Sequence, residues 1–271
     1  MRFLVFDYSS YWSTEPHYFN AALRNIGVES NMWNTNLSVY DNFDTYKPDV
    51  FIGHALNLPR DFIQYLKDSN NQEIKVLLNI NDINANNIGL LAERLNENNI
   101  KFVFFGTRET STSDIKFIKI MPSADVFIPI AKKKFEIDKA IFVSQEDQIP
   151  EYDGVYHILT NNQAIKDKVD IFLPVLELNK LFVNYKEIVF KDASFLESQI
   201  VFDAIKNGNK IVFDFKNNSY TDKITEIFKG EKFSSSVKNR HTCFHRLKTL
   251  LSQISPPEEI LSRLNDRINS L

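Results

Sequence analysis

A single cysteine, Cys243, stands among 271 residues, which excludes an intrachain disulfide and any zinc or iron-sulfur site built from several cysteines. Glycine is also scarce, at seven residues. Neither GxGxxG nor GxxxxGK followed by Ser or Thr occurs, so the glycine-rich phosphate loops of dinucleotide-dependent hydride transfer and of P-loop chemistry are missing. The net charge of -3 and pI near 6.0 exclude a protein that coats nucleic acid by bulk charge, and any nucleic-acid contact must be local. No apolar run approaches the roughly 18 residues of a membrane span, so no membrane span is expected. Arg2 alone precedes the first short apolar run, which ends at Asp7 and reads as a strand, not as a cleavable signal. The expected location is the cytoplasm, or the host cytoplasm if the source is viral.

What is present is an ordinary globular balance of 43% apolar and 25% charged residues, with 23 phenylalanines and abundant asparagine. Asn, Lys, Ile and Phe richness points to an AT-rich genome, such as those of many phages and some bacteria. Short apolar runs recur: FLVF (3–6), VFIG (50–53), KVLLNI (75–80), KFVFF (101–105) and VFIPI (126–130). Runs of that length fit strands buried on both faces, as in parallel sheets. Pro16 to Gly27 and Pro59 to Ser69 carry apolar residues at helical spacing between them.

After the lysine-rich stretch AKKKFEIDK a second series begins, with AIFVS (140–144), VYHIL (155–159), EIVF (187–190) and KIVFDF (210–215). Helices are expected over Pro174 to Asn184, Leu196 to Asn207 and about Ser219 to Lys229, then from Ser236 with a break at Pro256 and Pro257. The expected architecture is α/β, with two Rossmann-like domains at 1–132 and 133–250 and a C-terminal helix, 251–271, packing back on the first.

Two motifs carry a resemblance. SFLESQIVFDAIKNGNKIVFD (194–214) resembles the donor-binding helix and following strand of GT-B glycosyltransferases of the CgeB-like group, in which an aromatic, an acid and an alanine precede a glycine and a strand. RHTCFHRLKTLL (240–251) resembles the group's closing motif: His241, Thr242 and Arg246 match, and Cys243 replaces a tyrosine. ALRNIGVES (22–30) and YKPDVFIGH (46–54) extend the similarity into the first half. The chain departs from the group at Ile200, where an arginine is usual three residues before the acid, and in the glycine-free first loop DYSSYWSTEP.

The resemblance implies a nucleotide-sugar donor, probed first as UDP-linked, and no resident cofactor. Ser194 and Glu197 form a capping box, whose helix start can receive a diphosphate or can simply cap a packing helix. For Asp203 the resemblance implies a ribose contact, against a solvated helix carboxylate, and it places Arg246 with the donor. Asp82, at the end of the KVLLNI strand, is the first candidate base and His54 the second. LLNINDIN (77–84) is similar to the strand end that carries the catalytic aspartate of phage DNA glucosyltransferases. Asp82 also reads as a turn residue and His54 as a satisfied polar residue.

Tyr8, Trp12 and His17 are candidate acceptor contacts; Trp33, Tyr11 and Tyr18 suit either stacking or packing. Lys132 to Lys134, and Lys238 to Lys248, are basic clusters that fit a solvated face or contacts to phosphates. No D-x-D carboxylate pair is present and the reading requires no metal. The expected function is transfer of a sugar to a hydroxyl acceptor, either a hydroxymethylated pyrimidine in double-stranded phage DNA or a surface glycan or protein. The alternative is a non-catalytic GT-B-like binding or assembly protein.

Overall fold

The apolar runs of the two series become two all-parallel sheets. In the computed structural model the chain divides into two compact units, one made of Met1–Ser9, Glu15–Met121 and Cys243–Leu271, the other of Ser10–Thr14 and Pro122–Thr242. The structure describes all residues except 9–14, 69–72, 82, 108–114, 121–136, 152–155, 161, 173–180, 192–198 and 215–239. Relative to the expected boundaries, the second unit begins nearer 122 than 133, and the chain rejoins the first unit at Cys243 instead of 251.

In the first unit, strands β1 (Phe3–Val5), β2 (Ser30–Met32), β3 (Val50–His54), β4 (Lys75–Asn79), β5 (Phe102–Gly106) and β6 (Phe117–Lys119) lie in the order β2-β1-β3-β4-β5-β6. Helices α2 (Val39–Tyr46), α3 (Phe62–Asp68) and α4 (Ala85–Glu97) cover one face. There Phe43, Phe62, Leu66, Ile88 and Leu95 pack on Leu4, Phe51, Val76, Leu78 and Phe104. Helix α1 (Glu15–Asn25) covers the other face, with Phe19 edge-on to Phe105 at 6.3 Å between ring centres. Helix α6 (Cys243–Leu251) packs on α1, and α7 (Glu258–Asn269) packs on α6. Because helices cover both faces, Phe3, Leu4, Val5, Ile52, Leu77 and Phe105 are all buried, which is why these strands read as unbroken apolar runs.

Trp33 belongs to this core, not to a stacking loop: it is 8% exposed and meets Phe6, Phe43 and Phe51 edge to face. Tyr18 is buried as well.

The second unit holds β7 (Ile137–Phe142), β8 (Tyr156–Thr160), β9 (Ile171–Phe172), β10 (Tyr185–Phe190) and β11 (Lys210–Phe213) in the order β11-β10-β7-β8-β9. Renumbered within the unit this is 3-2-1-4-5, the Rossmann order, with the reversal between β7 and β10. Helix α5 (Gln199–Lys206) leads into β11 and packs on it. The strand at 126–130 and the helix at 219–229 lie outside the described residues, as does most of the helix at 174–184. Among the described residues no helix is long and apolar enough to cross a membrane.

Candidate active site

In an open parallel sheet the crevice for a ligand forms at the carboxyl ends of the two strands between which the order reverses. In the first unit those strands are β1 and β3. Beyond β1 the chain continues through Phe6, Asp7 and Tyr8, and β3 ends at His54, with the Tyr8 and His54 rings 5.6 Å apart. Glu15 opens α1 at the same crevice. Its Oε2 accepts from the Tyr8 hydroxyl at 2.9 Å and from Asn79 Nδ2, at the end of β4, at 2.9 Å. Two donors on one carboxylate oxygen hold it at the mouth of the sheet.

Burial lifts the Glu15 carboxyl above the usual carboxylate range, against the opposing pull of the Tyr8 and Asn79 hydrogen bonds and the charge of Arg246. The same burial, followed by the nearby Glu15 charge, raises the Tyr8 phenol well above its ordinary value, so Tyr8 remains a donor. Arg246, on α6, is 8% exposed, and burial brings it down to about 10 even though Glu15 works to hold it up. A carboxyl of raised pKa, two neutral donors and a buried guanidinium therefore converge where a parallel sheet binds ligands. A carboxylate raised by burial and held in place by donors has the chemistry of a proton acceptor.

The expected site residues fall into three groups. Tyr8 lies in the crevice, and His17 borders it, pairing with Asp7 at 3.2 Å with both side chains more than two-fifths exposed. Asp82, Trp12, Ser194, Glu197 and Lys132 to Lys134 lie outside the described residues. His54, Asp203 and Arg246 have partners within the protein. The His54 Nδ1 accepts from the Leu56 N–H at 3.2 Å and its Nε2 faces the Asn81 carbonyl at 3.0 Å. A carbonyl only accepts, so Nε2 carries the hydrogen while Nδ1 accepts. Asp203 is no solvated carboxylate: it is 1% exposed and accepts from the Gln199 amide at 3.0 Å. Arg246 belongs to the first unit, within electrostatic reach of Glu15, although the resemblance assigns it to the donor.

In the second unit α5 follows β10, one of the two strands that flank the reversal. The loop after β7 is closed on itself: the Gln148 side-chain oxygen accepts from the N–H groups of Ser144 and Gln145 at 2.8 and 3.1 Å. Backbone amides that hold a pyrophosphate in a dinucleotide fold are here met by a glutamine of the same loop.

No known family profile matches the chain, and no curated protein matches it. Among solved structures, the apo-structure of D-lactate dehydrogenase from Escherichia coli aligns over 97% of this chain and 93% of that chain at 10% identity, with a TM-score of 0.26. A superposition that loose carries no argument about function.

Proposed function

We propose that the chain is a glycosyltransferase that moves a sugar from a nucleotide sugar to a hydroxyl acceptor, with Glu15 as the base. The observation that carries this reading is the Glu15 carboxyl, lifted by burial and held by Tyr8 and Asn79 at the reversal crevice of the first sheet. In the reaction Glu15 takes the acceptor's hydroxyl proton as the oxygen attacks the anomeric carbon. The bond from that carbon to the nucleoside diphosphate breaks, and the diphosphate leaves with the electron pair. A single displacement of this kind inverts the anomeric centre.

The similarity of 194–214 to CgeB-like enzymes, together with the position of α5 after β10, supports placing the donor on the second unit, with UDP-sugars the first to try. The first unit then takes the acceptor, with Tyr8 and His17 at its crevice. Hydroxymethylated DNA is the acceptor we test first, and a surface glycan or protein the next.

One observation favours a second reading. Ile200 is 1% exposed in the core of the second unit, at the place where the similar enzymes carry an arginine. A protein that binds a nucleotide sugar without turning it over would show this change.

The experiment is a radiolabelled transfer assay from UDP-sugars to hydroxymethylcytosine DNA, to unmodified DNA and to glycans, paired with calorimetry of donor binding. Glu15→Gln is expected to bind donor as the parent does and to lose about 100-fold or more in turnover, as loss of a general base does. Full turnover in that variant returns the role to Asp82. Donor binding without transfer to any acceptor selects the second reading.

A further inference from the structure

Asn79 closes β4 behind Val76, Leu77 and Leu78, and it is as buried as they are, at 3% exposed. A primary amide in such a place costs free energy unless its bonds are met. Here they are met in one orientation. Oδ1 accepts from the Asn81 N–H at 2.8 Å, and Nδ2 donates to Glu15 Oε2 at 2.9 Å. A backbone N–H only donates, so turning the amide over would set N–H against N–H and a carbonyl against the carboxylate.

Asn81 is fixed from both neighbouring strands. His54, at the end of β3, donates to its carbonyl at 3.0 Å. Thr107, just past β5, donates its N–H and its hydroxyl to the Asn81 Oδ1 at 2.9 and 3.2 Å. The close approach needs Gly106, because a Cβ there would lie 2.6 Å from that oxygen.

We propose that Asn79 is a positioning residue for Glu15, its amide locked in one sense by an Asn81 that His54 and Thr107 hold from the flanking strands. The inference rests on reading Glu15 as the base. It turns His54 from a candidate base into part of the frame. Tyr8 and Arg246 also face the carboxyl, and neither changes in the variants below.

The test is an NMR titration of the Glu15 side-chain carboxyl in the full chain, alongside the pH profile of kcat. Asn79→Ala removes a donor to the carboxylate and is expected to move the Glu15 titration to higher pH. Asn79→Asp sets a second carboxylate beside it and is expected to move it further the same way. Thr107→Ala, which loosens Asn81 and leaves Asn79 in place, should shift it less; His54→Ala also removes a ring 5.6 Å from Tyr8, so His54→Gln, which keeps a donor toward the carbonyl, is its control and should restore the titration. In Asn79→Ala, kcat is expected to fall about tenfold at unchanged KM, the size of one hydrogen bond to a charged group.

An unmoved Glu15 titration in both Asn79 variants, with circular dichroism unchanged, overturns the proposal. If those variants do not fold, an unmoved titration in Thr107→Ala and His54→Ala overturns it instead. A shifted titration in a protein that transfers no sugar from any donor would defeat the glycosyltransferase reading and leave the positioning role standing.

Discussion

Replacing Glu15 with glutamine should do two opposite things: remove turnover and make the first unit more stable at alkaline pH. An amide at position 15 keeps an oxygen for the Tyr8 hydroxyl and the Asn79 amide and removes the charge. That charge is a liability to folding. Burial raises the folded carboxyl above its unfolded value, so the native state binds this proton more tightly than the unfolded chain does. Glu15 therefore costs nothing below the unfolded pKa, and it withdraws stability as pH rises from there through the folded pKa. Each unit of the rise is worth about 1.4 kcal/mol. The Arg246 charge reduces this cost, and burial outweighs it.

Urea unfolding of the parent and of Glu15→Gln at about pH 4 and pH 8 reads the effect, because all other groups cancel in the difference between the two proteins. Trp33 is buried in the first unit's core, so its fluorescence in a Trp12→Phe background reports that unit. The variant is expected to gain on the parent between the two pH values, in the direction set by the raised carboxyl. A variant that instead loses on the parent as pH rises would mean that the Glu15–Arg246 attraction dominates, and the carboxyl would then be an ion-pair partner instead of a poised base.

Three further outcomes follow from the packing. Asp203→Ala removes a buried acceptor of the Gln199 amide and is expected to lower the stability of the second unit by about 1–3 kcal/mol, while Asp203→Asn, which keeps one oxygen, loses less; thermal unfolding compares them. Trp33→Ala removes a side chain wedged between Phe6, Phe43 and Phe51 and is expected to cost about 3–5 kcal/mol in urea unfolding. Gly27→Ala puts a Cβ on a residue at φ +72° and 3.2 Å from Arg263 Nη1, which ties α7 to the end of α1 through the carbonyls of Ile26 and Gly27. A loss of about 1 kcal/mol or more is expected, measured by the same unfolding method.

The central strands were readable because parallel strands covered on both faces spell continuous apolar runs: β1, β3, β4, β5, β7, β8 and β10 each sit inside or overlap such a run. The strands not anticipated, β2, β6 and β9, are all sheet edges. An edge strand is half uncovered, and SNM, FIK and IF are too short and too mixed to show periodicity. Helix α2 escaped notice for another reason. Its core position 42 is an asparagine, wholly buried, whose Nδ2 serves the carbonyls of Asn34, Leu37 and Ser38, so the apolar stripe is broken where the helix is best packed. Helix α4 begins with the polar run ANN behind an Asn84 cap, which looks like a loop until Asn84 is seen to accept from Asn87 N–H.

The place of the proposed site was legible in the sequence, and the base we propose there was not. Strand ends after the first and third strands pointed to Tyr8 and His54, and both lie at the reversal crevice. Between Thr14 and Pro16, Glu15, the base we propose, reads in the sequence as an acid in the first turn of a helix, a common surface residue that favours the positive helix end. Its partners come from far along the chain: Asn79, which donates to it, lies 64 residues later, and the Arg246 charge arrives only when Cys243–Leu271 rejoins the first unit. One signal was present. In LLNINDIN, Asn79 is a polar residue directly behind Val76, Leu77 and Leu78 in a strand, and a buried amide needs a partner. The returning segment therefore does more than cover α1. Without α6 the carboxyl at position 15 would lose the charge of the Arg246 guanidinium, so the electrostatics of the proposed base depend on residues that the chain supplies only after it has built the second sheet.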